Sequence, residues 1–243
     1  MLRRWRVGAI PLAVAAVVAA VVVATAQQAP PDPRTAEQIG VSVDGVPIEL
    51  VRVGDPKAPR KVLVVGCVHG NECAGRAIVD RLKAWREAPA GVELLLVRNL
   101  NPDGFAHDAR DNAHGVDLNR NSSEGWSARV PGAGPRPWSE PESRAIRRLI
   151  LRDRPEIAVW YHQALDLVDF PESGGGEDLT RSYAALTGMR AQRLAPRPGS
   201  LSRWDNAEVE PGSSFVVELP AGKLRPKQVD RQAAAILAIS AGD

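Results

Sequence analysis

Two cysteines, four histidines and almost no imbalance of charge set the first limits on this 243-residue chain. Two cysteines cannot build a disulfide scaffold or a zinc-finger array. The formal net charge is +2, from 31 Lys and Arg against 29 Asp and Glu, and even that excess is local. Residues 1–26 hold Arg3, Arg4 and Arg6 and no acid, so the remaining 217 residues carry −1. No basic footprint is left for nucleic acid. There is no internal repeat, and the HExxH helix of many zinc peptidases is missing. What is present is ordinary: 44% hydrophobic and 25% charged residues exclude wholesale disorder, and the length suits about one domain. With 21 Gly and 20 Pro, that domain is expected to be rich in loops.

The chain opens with a positive segment, an uninterrupted apolar run from Leu12 to Val23, and the small-x-small triplet Ala24-Thr25-Ala26. Residues 1–26 therefore read as a signal peptide or a membrane anchor, since the 20 uncharged residues from Val7 to Ala26 are just long enough to span a bilayer. Either way the rest is expected outside the cytoplasm, touching a membrane only through this segment if it is not cleaved. Residues 27–40 are polar and Pro-rich and read as a linker, which leaves 41–243 as the domain that carries the motifs. There the apolar pattern alternates between two periods. Strands are expected at Val41–Val43, Ile48–Val53, Lys61–Val65, Val92–Val97, Ile157–Tyr161 and Phe215–Leu219. Helices are expected at about Cys73–Trp85, from Ser139 to about Arg152, at Leu179–Leu186 and at Val229–Ile239. Ser139 with Glu142 has the spacing of a capping box. This order argues for an α/β fold, a three-layer α/β/α sandwich on a mostly parallel, mixed sheet. Residues 99–138 show almost no periodicity, and a loop of that length is usually functional.

The chemistry begins where the Lys61–Val65 strand ends, in Gly66-Cys67-Val68-His69-Gly70-Asn71-Glu72. His69 and Glu72, three apart in a turn after a strand, can face one ion, and catalytic zinc favours imidazoles, a carboxylate and an open position. His162 ends another buried strand and emerges at the same sheet edge; His107 and His114 fall in the irregular loop and read as solvated. Glu218 is the one charge in the apolar strand Phe215-Val216-Val217-Glu218-Leu219. Such a carboxylate is costly unless paired or near a metal, which makes it a candidate base of raised pKa.

These residues belong to an ordered set: HGNE (69–72), NPDG (101–104), RDN (110–112), GVDLNRN (115–121), SEPES (139–143), the strand-ending His162 and VELP (217–220). The set resembles the zinc metallocarboxypeptidases of the carboxypeptidase A superfamily, in particular the short bacterial branch that includes the murein peptide amidases. The resemblance spans about residues 60–240. It implies one zinc ion per chain held by His69, Glu72 and His162, with Asp117 orienting the first imidazole. Glu218 then matches the general base that takes a proton from the attacking water and passes it to the leaving amine. Arg110 matches the cation that polarises the scissile carbonyl. Asn119 and Arg120 match the pair that grips a free C-terminal carboxylate. The implied partner is a peptide or muropeptide with that carboxylate free. Arg203, in the stretch 199–204, is expected near the side-chain pocket.

Three departures bear on the substrate. The family's peptide-binding Tyr has no obvious counterpart, His162 is followed by Gln163 where a Ser is familiar, and Asn121 is followed by Ser122 where an aromatic is usual. Two other functions remain open: an N-acyl amino acid deacylase of the aspartoacylase type, and a non-catalytic peptide or cell-wall binding module on the same fold. Cys67 and Cys73 flank the HGNE turn, and in an exported protein they are candidates for a disulfide.

Overall fold

The computed structural model describes residues 34–85, 88–170 and 176–242; the expected signal or anchor at 1–26 lies outside them. The period-two pattern of the buried strands decides the layers. In β3 (Arg60–Val65), Val62 and Val64 face one core while Leu63 and Val65 face the other. The same division holds in β4 (Val92–Val97), with Leu94 and Leu96 on the first side and Leu95 and Val97 on the second. It holds in β5 (Ile157–Gln163), where Val159 and Tyr161 oppose Ala158 and Trp160. A strand buried on both faces needs helices on both. The first core is covered by α1 (Gly75–Ala84), α4 (Glu177–Thr187) and α6 (Pro226–Ala241). The second is covered by α3 (Pro141–Asp153) and α5 (Leu201–Glu208). The expected three-layer sandwich is the architecture found.

The sheet is completed by β1 (Arg34–Val41), β2 (Pro47–Gly54), β6 (Leu167–Asp169), β7 (Arg190–Gln192) and β8 (Ser213–Leu219). Strand order is β1-β2-β4-β3-β5-β8-β6-β7, parallel through β4-β3-β5-β8 and again at β6-β7, antiparallel elsewhere. From β3 the chain crosses through α1 on one face to β4, then returns through α3 on the other face to β5, on the far side of β3. That reversal splays the connections apart at the carboxyl ends of β3 and β5, where an open α/β sheet forms its ligand crevice.

Two sequence expectations need correcting. The linker expected over 27–40 ends sooner, because β1 already pairs with β2 from Arg34 opposite Val53. Its RTAEQIGV sequence lacks an apolar face, and its residues are half-buried or exposed. Backbone pairing holds this edge strand, and its charges guard the edge. Nor does Ser139 cap α3: the helix starts at Pro141 with Glu140 at the cap position and no side-chain cap bond. Ser139 Oγ donates to Glu140 Oε1 at 2.6 Å. Glu142 turns away from the helix end to accept from the Val43 backbone N–H at 3.0 Å and from Asn112 Nδ2 at 3.1 Å.

Those bonds explain what the loop motifs do. Within residues 99–138 regular structure is limited to α2 (Pro102–Ala106) and one 3₁₀ turn, Leu118–Arg120. Asn101 caps α2 by accepting from Gly104 N–H at 2.9 Å. Asp103 accepts from Ser42 Oγ at 2.6 Å and from Asp44 N–H at 3.1 Å, tying the loop to the β1–β2 turn. Asn112 bridges Glu140 and Glu142, and Asn121 Oδ1 accepts from Ser143 Oγ at 2.7 Å. Leu100, Leu118 and Trp138 of the loop reach the second core, and these buried polar pairs hold the rest of it.

Candidate active site

Three neighbouring strands deliver the reactive groups to one edge. β3 runs into the HGNE turn, β5 ends at His162, and β8 carries Glu218, which stands directly opposite His162 in the β5–β8 register. Alternation puts both side chains on the α3/α5 face, one step beyond Trp160 and Val216. The HGNE turn lies flat on the NPDG segment: a Cβ at Gly70 would come within 1.9 Å of the Gly104 carbonyl carbon. Only glycine allows that approach. Cys67 and Cys73 form a disulfide closing the loop that holds both His69 and Glu72.

His69 Nδ1, Glu72 Oε2 and His162 Nδ1 converge, separated pairwise by 2.9, 3.0 and 3.2 Å. Among the described residues this is the one group of three or more His, Cys, Asp or Glu placed to hold a metal ion. Ligands ~2.0–2.1 Å from a tetrahedral zinc stand roughly 3.3 Å apart, so the donor set fits zinc. The protonation pattern fits as well. His69 Nε2 meets Asp117 Oδ1 at 2.9 Å, which keeps the proton on Nε2 and leaves the Nδ1 lone pair to a metal. Burial pushes the His162 imidazole down to about 4, against the pull of Glu72, so it is neutral as a ligand must be. Burial of Glu72 and Asp117 is outweighed by their bonds to the histidines, which hold both carboxyls well below the usual range.

Glu218 lies in the opposite electrostatic setting. Burial and then the charge of Glu72 raise its carboxyl to about 7, with His69 and Arg110 partly offsetting them. Its Oε2 is buried and has no hydrogen-bond partner. An orphaned acceptor beside a ligand cluster suits a group that receives a proton. Arg110 is anchored at the same cluster, through Nη1 to Glu72 Oε1 at 2.6 Å and Nε to Asp117 Oδ2 at 3.1 Å.

The cluster opens into a cavity of about 250 Å³ whose walls include Arg110, Asn119, Arg120, Arg203 and Glu218 beside the three candidate ligands. Every site residue read from the sequence lines this cavity except Asp117, which stands behind His69. Asn119 Oδ1 accepts the Leu201 N–H at 2.9 Å, so its amide is oriented and Nδ2 stays available as a donor. Arg120 is half-buried, its Nη1 on the Asn119 carbonyl at 2.5 Å. Arg203 faces Glu124 at 3.7 Å. His107 is exposed, and His114 is mostly exposed while meeting Glu140 Oε2 at 2.7 Å.

The structure shows what the two departures Gln163 and Ser122 do, and it adds wall residues that sequence reasoning missed. Gln163 Oε1 accepts from Ala74 N–H, and Nε2 donates to the Pro220 and Gly222 carbonyls, so it braces the end of β5 against the start of α1. Ser122, fully buried and outside the cavity lining, donates from Oγ to the Ser200 carbonyl at 2.9 Å and so supports the wall from behind. Leu165, Asp169, Arg197, Ser202 and Asn206 line the cavity from irregular or short segments whose periodicity signals nothing. The chain's two tyrosines lie in the opposite core, hydrogen-bonded to each other at 2.7 Å, so neither reaches the cavity.

A zinc carboxypeptidase family model matches residues 20–187. The chain belongs to the zinc carboxypeptidase family. Within it, murein peptide amidase A of Escherichia coli K12 is 30% identical over 200 residues, covering 71% of this chain and 76% of the amidase. Carboxypeptidase SOL1 of Arabidopsis thaliana is 30% identical over 174 residues, or 65% of this chain, which spans only 35% of that protein. Among solved structures, carboxypeptidase A of Helicoverpa armigera superposes with a TM-score of 0.74 at 18% identity over 87% of this chain and 68% of that one. Murein-tripeptide amidase of Escherichia coli O157 gives 0.62 at 22% identity, covering 84% and 90%. The fold and the hydrolase class are those of this family.

Proposed function

We propose that this zinc carboxypeptidase family member is a zinc-dependent exopeptidase or amidase that removes a C-terminal residue bearing a free carboxylate. The observation that carries this reading is the orphaned Glu218 Oε2 in register with His162, in one cavity with a His-Glu-His donor set and with Asn119 and Arg120. His69, Glu72 and His162 would hold the zinc, which when bound supplies a Lewis acid at the scissile carbonyl and makes water a usable nucleophile near neutral pH.

The chain's own groups do the rest. Arg120 and Asn119 Nδ2 hold the terminal carboxylate and so set which bond reaches Glu218. Glu218 takes a proton from the attacking water on its free oxygen and returns it to the nitrogen of the departing amine. Arg110, held between Glu72 and Asp117, presents positive charge to the developing oxyanion. Likeness to murein peptide amidase A supports cell-wall peptides as the substrate class, and the Cys67–Cys73 disulfide supports an oxidising, exported setting for the domain.

Matched substrates with free-acid and amidated C-termini test the reading. Amidation removes the anion and leaves Arg120 facing a neutral group. The loss of a charge-assisted hydrogen bond is expected to lower kcat/KM by roughly 10–150-fold. Arg120→Ala is expected to flatten that ratio by harming the free-acid substrate alone. Equal rates on acid and amide for the unaltered enzyme would refute carboxylate recognition.

A further inference from the structure

Glu218 cannot be aimed by a hydrogen bond to its free oxygen, because Oε2 is buried without a partner. Its direction depends on the backbone that carries it, and the sheet stops supporting that backbone here. The ladder from β8 to β6 ends at Glu218 itself, paired with Leu167, and the ladder to β5 ends at Leu219. Pro220 has no N–H with which to extend either ladder.

Gln163 takes over at that point. Its Nε2 donates to the Pro220 carbonyl at 2.8 Å and to the Gly222 carbonyl at 2.9 Å, holding the segment just after Glu218. Its Oε1 accepts from the Ala74 N–H at 3.0 Å, two residues beyond Glu72. Its own backbone N–H donates to Glu72 Oε2 at 3.3 Å. Both amide hydrogens and the amide oxygen are used, and a turned-over amide would set oxygen against two carbonyls and NH₂ against an N–H. One orientation alone satisfies all three partners. A serine, with one hydroxyl donor on a single carbon, could not replace it. One side chain thus joins the turn that carries two candidate ligands to the chain that carries the proposed base. Proton transfer requires Glu218 to keep hydrogen-bond distance from the attacking water, and a misplacement of about 1 Å can cost ~10²-fold in rate.

We infer that Gln163 is a positioning residue that sets Glu218 against the His69, Glu72 and His162 donor set, so that turnover and not substrate affinity depends on it. The inference rests on the exopeptidase reading. Its test measures kcat, KM and bound zinc at saturating zinc on the free-acid peptide, for the full-length protein, Gln163→Met, Glu218→Gln and the double variant. Gln163→Met is expected to keep its zinc, to lower kcat by ~10–10²-fold and to leave KM within about 3-fold. In the Glu218→Gln background the same substitution is expected to change the residual kcat by less than about 3-fold, since the group it positions is already lost. An unchanged kcat, a rise in KM alone, or an equal loss in both backgrounds overturns the inference and leaves the exopeptidase reading standing. Gln163→Glu keeps the length and the acceptor for Ala74 N–H while losing both donations, so it should reproduce the kcat loss even if Gln163→Met does not fold. A normal kcat in Gln163→Glu likewise overturns the inference. If the unaltered protein cleaves no peptide, the exopeptidase reading has failed, and crystal structures of the unaltered and Gln163→Glu proteins still read the positioning. Displacement of residues 218–222 in the variant supports it, and an unmoved segment overturns it.

Discussion

Glu218 and Asp205 are two buried carboxyls with the same cause of perturbation and different consequences. Both are raised to about 7, burial being the first cause in each. Glu218 faces the candidate ligand cluster, and Glu218→Gln keeps its shape and the three donor residues while removing the proposed base. Expected are full zinc content and a kcat lower by ~10²–10⁴-fold, whereas His162→Ala is expected to lose the metal itself. Metal analysis beside steady-state rates checks both, and near-normal kcat in Glu218→Gln would mean another group takes the proton. Asp205 sits on α5 with both oxygens buried and without a hydrogen-bond partner, and it does not line the cavity. Its folded pKa lies above the unfolded value of 3.8, so the unfolded chain loses the proton first as pH rises. Stability should therefore fall between about pH 4 and 7, by at most roughly 4 kcal/mol from this group. Asp205→Asn has no such titration, so its stability relative to the unaltered protein should rise from pH 5 to pH 8 in urea unfolding. A pH-independent difference would show that Asp205 is not the group responsible.

At the scale of elements, the decisive object is the clamp between the Leu118–Arg120 turn and the start of α5. It joins two segments that periodicity keeps apart: GVDLNRN lies in the irregular loop, and 199–204 is expected only to lie near the side-chain pocket. Gly199 adopts a positive φ of 72° and packs against Arg120 backbone atoms. An alanine there meets both strain and collision. Gly199→Ala is expected to cost at least about 1 kcal/mol and to raise KM more than it lowers kcat, since it displaces Asn119 and Arg120 and not Glu218. Denaturant midpoints and Michaelis constants measured together check this, and a variant with normal KM would show the clamp to be dispensable for binding. The SEPES and NPDG motifs act at the same scale: they hold the loop and do not line the cavity.

For the molecule as a whole, the centre depends on joining three parallel strand ends to a loop with little hydrophobic core of its own. The Cys67–Cys73 disulfide closes the turn that carries two of the three candidate ligands, across a sequence separation of six. A closed loop that short restricts the unfolded chain by an amount worth about 2 kcal/mol. Cys67→Ser/Cys73→Ser is expected to lower the unfolding free energy by that order and to weaken zinc retention against a chelator. Unchanged zinc retention would assign the bridge to global stability alone.

The order of motifs and the buried strands determined the fold class and marked the candidate ligand set and candidate base, because each rests on local pattern: an apolar run ends, and a His or Glu follows where the sheet edge must be. Register added what pattern could not supply, placing Glu218 opposite His162 on the face that α3 and α5 cover. The cap expected at Ser139 failed because Glu142 found partners in the Val43 backbone, 99 residues away in sequence, and in Asn112, 30 residues away. The linker expected up to residue 40 gave way at Arg34 because backbone pairing with β2 does not require an apolar face. Arg110, Arg120 and Arg203 are named by the sequence, whereas Arg197 is added to their wall by tertiary structure alone. Arg197 lies 77 residues from Arg120, and only the contact of Gly199 with the Arg120 backbone brings their charges into one cavity.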